Sequence, residues 1–417
     1  MITFTKYKWR MLMQTQLLKL SQSGGSNYEL KRIIFCCGIV FASALMLGAR
    51  PANSLPPSFP KERKINVNAQ RSSLYAEWRD SVRRVMADVY QSRTLTIGNL
   101  TMPLHWQLFG DCPPDGRALF ISLHGGGGTA PEVNDQQWQN QTRLYRPKDC
   151  VYLCPRSPFN TWDLHFKPEL DTFYQHIIMM AVAYLDVNPD KVYLMGYSAG
   201  GDGVWRLAPR LADHWAAASM MAGHPGDVAL VNLLNTPFMI WCGADDAAYD
   251  RNRLCGERIA EMDSLQRDAP DGYLHEGHIM AGMGHWMNRA DTVAVDWMAR
   301  YRRNPYPRRI VWRQEAVPQQ HFYWLSAPAD ELGQGKEVRA ELKGNTIIVS
   351  RCDYSSLTIS LNDQMLNLDK PVKVVYGGKT RFKGRVRRSA QVMHTTLFTR
   401  NDPSFMFPAQ IYVRLKD

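Results

Sequence analysis

The sequence predicts an α/β fold with a doubly wound, mostly parallel sheet over residues 65–304, followed by a small β-rich domain over residues 305–417. Three observations predict it. Short, continuously apolar runs alternate with helical patterns through the middle of the chain, as buried parallel strands and their crossover helices do. One of those runs passes through the glycine-rich turn "MGYSAGGDG" into a helical segment. From about Tyr301 the chain turns basic and proline-punctuated, then breaks into strand-length pieces separated by turn residues.

The chain has 417 residues, more than the roughly 100 to 200 of a usual domain, so two folded units are expected. Hydrophobic residues at 45% and charged residues at 21% sustain a sizeable core and exclude a disordered body. The net charge of +11 is uneven: ten Lys/Arg face two Asp/Glu over residues 1–64, 20 face 27 over 65–300, and 20 face 10 over 301–417. Basicity confined to the two ends argues against a nucleic-acid partner.

Residues 1–64 read as a basic leader. Lys31 and Arg32 precede an apolar run from Ile33 to Leu47, short for a span of about 20 residues but suited to the apolar region of a secretory signal. Leu47-Gly48-Ala49 offers a cleavage site, and the Pro-rich tract from Pro51 to Lys64 reads as a linker. The protein is therefore expected to be exported to the periplasm, cell envelope or exterior, with residues 33–47 as an alternative membrane anchor. Cys36 and Cys37 lie in that run; Cys150 and Cys154 flank or sit in an apparent buried strand and read as core packing.

Next come a helix from Arg71 to Tyr90, an extended stretch "TLTIGNLTMPLHWQLFG", and apolar runs at Ala118–Leu123, Val151–Cys154, Val192–Met195, Ala216–Met221 and Phe238–Cys242. Phe173, Ile177, Met180, Ala181 and Tyr184 share one helical face between the second and third runs. In the C-terminal part, "HFYWLSA", "EVRAELKGNTIIVSRC", "LTISLNDQMLNLDKPVKVVYGG" and "TRFKGRVRRS" read as strands, with Asn362-Asp363 and Gly377-Gly378 as turns. The alternation of Lys379, Arg381, Lys383, Arg385 and Arg387 places them on one solvated strand face, with Phe382 and Val386 turned inward.

Ser198 is the candidate nucleophile. It stands between a strand and a helix in Gly-x-Ser-x-Gly, where Gly196 and Gly200 remove side chains that would collide with neighbouring backbone. Upstream, "ALFISLHGGGG" ends a strand in glycines whose N–H groups can face a substrate oxygen, so Gly126, Gly127 and Ala199 are the candidate oxyanion donors. A phosphate-binding loop would end in Gly-Lys-Ser/Thr, and Gly128-Thr129 has no lysine. Downstream, "PFMIWCGADDAAYDRN" carries Asp245 and Asp246 just past a strand, and "IMAGMGHWM" carries His285. Serine, aspartate and histidine in that order fit a triad in which the acid holds the imidazole and the imidazole takes the serine proton. His275 and His278 lack the His-Glu-x-x-His spacing, so neither metal nor cofactor is expected.

These blocks resemble the α/β-hydrolase superfamily, and more narrowly a bacterial esterase group related to carboxylesterase/phospholipase and polyhydroxybutyrate-depolymerase-type enzymes. The resemblance rests on "LHGGGGTAPEVNDQQWQNQ", "DVNPDKVYLMGYSAGGDGVWRLAPRLADHWAAASMMAGHPG", "CGADDAAYDRN", "EGHIMAGMGHWM" and "RNPYPRRIVWRQ", covering about residues 70 to 325. It implies Ser198 as nucleophile, His285 as base and Asp246, three positions after Gly243, as acid. It implies a serine esterase without naming the substrate; with the leader, the reading is an exported serine esterase acting on a small-molecule or polymeric ester. Trp138, Asn140, Trp162, Asp163, His165 and Trp286 fall in the loops expected to shape the pocket, where tryptophans suit an apolar or aromatic acyl or alcohol group. Two alternatives stand beside this reading: a serine peptidase or amidase with the same triad, and a surface-binding protein whose basic C-terminal domain does the work over a vestigial hydrolase.

Overall fold

The computed structural model describes residues 64–416; the leader, its apolar run 33–47, the Pro-rich tract 51–63, Cys36 and Cys37 lie outside them. Eight strands form the central sheet: β1 (Thr94–Ile97), β2 (Leu100–Phe109), β3 (Arg117–Leu123), β4 (Cys150–Pro155), β5 (Val187–Tyr197), β6 (Ala217–Met221), β7 (Phe238–Gly243) and β8 (His275–Met280). Their order is β1-β2-β4-β3-β5-β6-β7-β8. Only β2 runs against its neighbours, antiparallel to β1 and β4. The other pairs are parallel, which gives the mostly parallel sheet that the alternating apolar runs predict.

Burial explains why those runs are continuously apolar. All six residues of β4, all six of β7 and all five of β6 are buried, so both faces of the sheet are covered. Successive side chains point to opposite faces. Leu119, Ile121 and Leu123 of β3 therefore join one apolar cluster, and Phe120 joins the other. Seven helices cover or flank this sheet: α1 (Lys64–Val85), α2 (Ala87–Ser92), α3 (Pro131–Leu144), α4 (Leu170–Tyr184), α5 (Ala199–Arg210), α6 (Arg251–Asp268) and α7 (Val293–Met298). On α4 the expected face is the buried one, with Phe173, Ile177, Met180 and Ala181 in the first cluster and Tyr184 packed at its margin. Cys150, Cys154, Cys242 and Cys255 are buried thiols within these layers.

The chain order reverses between β3 and β5: β4 lies on one side of β3 and β5 on the other. A crevice at the carboxyl ends of the strands follows from that reversal. The glycine loop leaves β3 and Ser198 leaves β5, so the topology brings both to this edge. Asp246 follows β7 and His285 follows β8 along the same edge.

Two smaller sheets follow. One has the order β16-β15-β13-β12-β9, built from β9 (Arg309–Arg313), β12 (Glu337–Lys343), β13 (Thr346–Cys352), β15 (Val372–Tyr376) and β16 (Lys379–Gly384). The other has the order β10-β11-β14-β17, from β10 (His321–Phe322), β11 (Leu325–Ser326), β14 (Ser356–Leu361) and β17 (Ala409–Arg414). Gly377 and Gly378 turn between β15 and β16 with φ of 57° and 74°, the backbone a two-residue hairpin needs. The apolar cluster that fills one face of the central sheet continues into both small sheets, through Trp312, Val338, Leu357 and Val374. Arg303, almost fully buried, ties the parts together by pairing with Asp190 and Asp402.

The β-rich part also holds a helix, and one expectation needs correction here. Residues Ala390–Arg400 form a helix, α8, inside the region read as β-rich. The strand expected to run to Ser389 ends at Gly384, so Arg385 and Arg387 do not continue one strand face. The physical reason is Arg388, which is buried and clamped by Asp363 and Asp369. That clamp, together with buried Val386, pulls the chain out of the sheet.

Candidate active site

Ser198 occupies the sharp turn between β5 and α5 with φ 57° and ψ −121°, a conformation that non-glycine residues rarely adopt and that costs about 1–3 kcal/mol. The neighbours leave little choice. A Cβ on Gly196 would collide with the carbonyl of Gly200, and one on Gly200 with the carbonyl of Leu123, so only glycine lets β3, β5 and α5 approach this closely.

Ser198 Oγ stands 2.9 Å from His285 Nε2, and His285 Nδ1 stands 2.8 Å from Asp246 Oδ2. A carboxylate only accepts, so Nδ1 carries the proton and Nε2 is left to accept from the serine hydroxyl. Asp246 is 3% exposed, whereas the imidazole of His285 is 43% exposed. The carboxylate is thus inside and the imidazole faces solvent. Between the two candidate acids the geometry is unambiguous: Asp245 is exposed and its N–H donates to Met283 O.

Four residues that the sequence did not single out hold this arrangement. Tyr197, the residue before Ser198, donates its hydroxyl to His285 O at 2.6 Å and accepts from Met287 N at 3.1 Å. Arg251 Nη1 lies 3.2 Å from Asp246 Oδ1, and Asn252 N donates to Asp246 O. Asn134, fully buried on α3, accepts from Gly127 N at 2.9 Å and donates to Gly127 O at 3.1 Å. Asn134 could have been found from its place one turn into the helix after the glycine loop; Tyr197 and Arg251 carry no comparable sequence signal.

The Asn134 contact redistributes the expected oxyanion donors. The Gly127 N–H is occupied by the side chain of Asn134. The N–H groups of Gly126 and Ala199 make no hydrogen bond to another described residue, and Ala199 opens α5, whose N-terminus carries partial positive charge. Gly126 and Gly127 have φ of 106° and 111°, so the loop backbone is one that residues with side chains resist. Beneath it lie two buried histidines. His124 Nδ1 donates to Gly125 O and its Nε2 accepts from Ser157 N, while His165 Nε2 donates to His124 O. Burial pushes both imidazoles down, His124 well below its usual value and His165 to about 4, so both are neutral supports of the loop.

The expected pocket residues divide. Trp162 is 63% exposed beside Gly127 and Gly128, and Trp286 is 49% exposed against Tyr197, so both stand at the mouth of the site. Trp138 commits its indole N–H to Cys154 O and packs on the core. Asn140 is exposed on α3 and accepts from Gln136 one turn earlier, and Asp163 is engaged by Thr161 and Lys167. The structure does not bring these last three to the serine. His275 and His278 lie on β8, where His275 contacts Asp263 and His278 stacks on Trp241.

No family model matches the chain. It is similar to "Putative esterase NocK" of Nocardia uniformis subsp. tsuyamanensis, with 29% identity over 195 residues that make up 44% of this chain and 54% of that protein. The chain thus spans about half the length of that curated relative. Among solved structures it is similar to a thermostable esterase, at 19% identity and TM-score 0.41 over 50% of this chain and 62% of that one. It is also similar to an acetyl xylan esterase from Aspergillus awamori, at 13% identity and TM-score 0.36 over 49% and 97%.

Proposed function

We propose that this chain, an α/β-hydrolase by the architecture of its sheet, cleaves carboxylic esters through an acyl-enzyme on Ser198. One observation carries the reading: the continuous hydrogen-bonded line Ser198–His285–Asp246, at 2.9 and 2.8 Å, anchored on a strained nucleophile turn. Ser198 attacks the ester carbonyl while His285 Nε2 takes its proton, and Asp246 stabilises the imidazolium that forms. The N–H groups of Gly126 and Ala199 hold the developing oxyanion, an interaction whose loss typically costs 100- to 1,000-fold in rate. The tetrahedral adduct collapses, His285 returns the proton to the leaving alcohol, and water then repeats the sequence to release the acid.

The exposed indoles of Trp162 and Trp286 favour an ester with an apolar or aromatic acyl or alcohol group. Export through the leader belongs to the same proposal, motivated by Lys31, Arg32 and the run Ile33–Leu47.

The test is a fluorophosphonate probe on the folded chain, followed by a panel of esters of graded acyl length and matched amides. Labelling that disappears in Ser198→Ala, with ester turnover, is expected. Absence of labelling, or labelling that survives Ser198→Ala, sinks the serine-hydrolase reading. Faster turnover of amides than of matched esters converts it to an amidase.

A further inference from the structure

We propose that the β15–β16 end of the five-stranded sheet is a docking surface for an anionic phospholipid bilayer. This rests on charge placement in the C-terminal part and is independent of the esterase reading. Residues 370–388, "KPVKVVYGGKTRFKGRVRR", contain no acidic side chain. Because β15 and β16 are antiparallel, with Val372 opposite Gly384, the start of one strand meets the end of the other. Lys370, Lys373, Lys383, Arg385 and Arg387 are thereby gathered at one end of the hairpin. All are exposed except Lys373, which is half-buried. None of the five makes an ion pair among the described residues, whereas the neighbouring Arg388 is clamped by Asp363 and Asp369.

The register makes this costly. Lys373 and Lys383 are direct cross-strand partners, a like-charge placement that destabilises a sheet. Lysines on edge strands are often explained as protection against strand pairing between molecules. That explanation covers Lys383 on the edge strand β16, but not Lys373, which lies on β15 between β13 and β16. Nor does it cover Arg385 and Arg387, which follow the end of β16.

A patch spread over two strands and an outgoing segment fits a surface better than a thread. Mobile lipid headgroups need no register with the cations, and each lysine or arginine near such a surface adds attraction. A single-stranded nucleic acid would call for exposed aromatic platforms, and Tyr376 and Phe382 of this hairpin are packed against the core.

The test uses the full chain in sedimentation with vesicles of phosphatidylcholine alone and of phosphatidylcholine with about one third phosphatidylglycerol. Any uncharged attachment contributes equally to both. The expected result is partitioning on the order of 100-fold stronger on the anionic vesicles, lost in about 1 M salt, where the Debye length is about 3 Å. The preference should also fall at least about 10-fold when Lys370, Lys373, Lys383, Arg385 and Arg387 are all changed to Gln, with the thermal melt no lower, since the basic leader is common to both proteins. If that variant melts early, Lys383→Gln with Arg385→Gln and Arg387→Gln replaces it, and its drop in anionic preference relative to the natural chain, which carries the same basic leader, decides. Equal partitioning on the two vesicles, or a preference undiminished by the substitutions, overturns the proposal. Binding to a soluble uronate polymer without a preference for anionic vesicles also overturns it.

Discussion

Arg251 places its guanidinium 3.2 Å from Asp246 Oδ1, the carboxylate oxygen that His285 does not use. Two effects oppose each other there. The cation draws on the charge that would stabilise the imidazolium, yet it also fixes the plane of a carboxylate that must present Oδ2 to His285. Arg251 is 12% exposed at its side chain and lies over the ring of Tyr249, so its position is well determined, and orientation is the larger effect. Arg251→Gln is expected to lower kcat about 10-fold with KM little changed, and Arg251→Lys to recover part of it. Steady-state kinetics on an activated ester check both; an unchanged kcat in Arg251→Gln removes the positioning role.

Asn134 should matter for rate although it touches no reacting atom. It fixes Gly127 through both its N–H and its carbonyl, and thereby the direction of the free Gly126 N–H. Asn134→Ala leaves those groups unpaired in a buried place, which costs about 1–3 kcal/mol of stability. The same change is expected to lower kcat on the order of 100-fold in the portion still folded. A thermal melt and active-site titration separate the two effects.

The strain at Ser198 predicts a trade between stability and activity. Glycine accepts φ 57° and ψ −121° without the penalty serine bears, so Ser198→Gly is expected to raise stability by about 1 kcal/mol while abolishing turnover. Ser198→Ala removes the hydroxyl without relieving the backbone. Denaturant midpoints of the two variants, measured side by side, give the difference; Ser198→Gly no more stable than Ser198→Ala contradicts the strain.

Acid should unfold the protein through His124 and His165. Both are held neutral by burial, with His165 pushed down to about 4 from an unfolded value near 6.5. Between those values the unfolded chain binds more protons than the native one, so their contribution is intact above about pH 6.5 and is lost as pH falls toward 4. His165 alone accounts for on the order of 3 kcal/mol across that window. The melting temperature should drop steeply below pH 6 in the natural chain and less so in His165→Gln. Equal slopes in the two proteins count against this origin.

The strands with both faces covered were legible because burial on two sides demands unbroken apolar runs, as in "CVYLCP" and "FMIWCG". The order Ser198, Asp246, His285 was legible because Ser198 and Asp246 sit just past such runs and His285 follows the glycine-rich stretch "IMAGMG". What escaped was of another kind. Helix α8 has Val392, Thr395 and Thr396 in its middle, residues that favour strands, and no acidic residue in its first turn, so tertiary packing of Met393 and Leu397 overrides local preference. Asn134, Tyr197 and Arg251 act through contacts 7, 88 and 5 residues away in sequence, and hydrogen-bond partners at such separations leave no periodic trace.

The glycines at 196 and 200 are set by backbone meeting backbone, at the carbonyls of Gly200 and Leu123, and neither contact involves the serine hydroxyl. A descendant that lost Ser198 and its chemistry would therefore still be under pressure to keep both glycines. In such a lineage the Gly-x-x-x-Gly spacing is a fossil of architecture, and under the proposed chemistry the oxygen between the two glycines is what separates a working copy from a silent one.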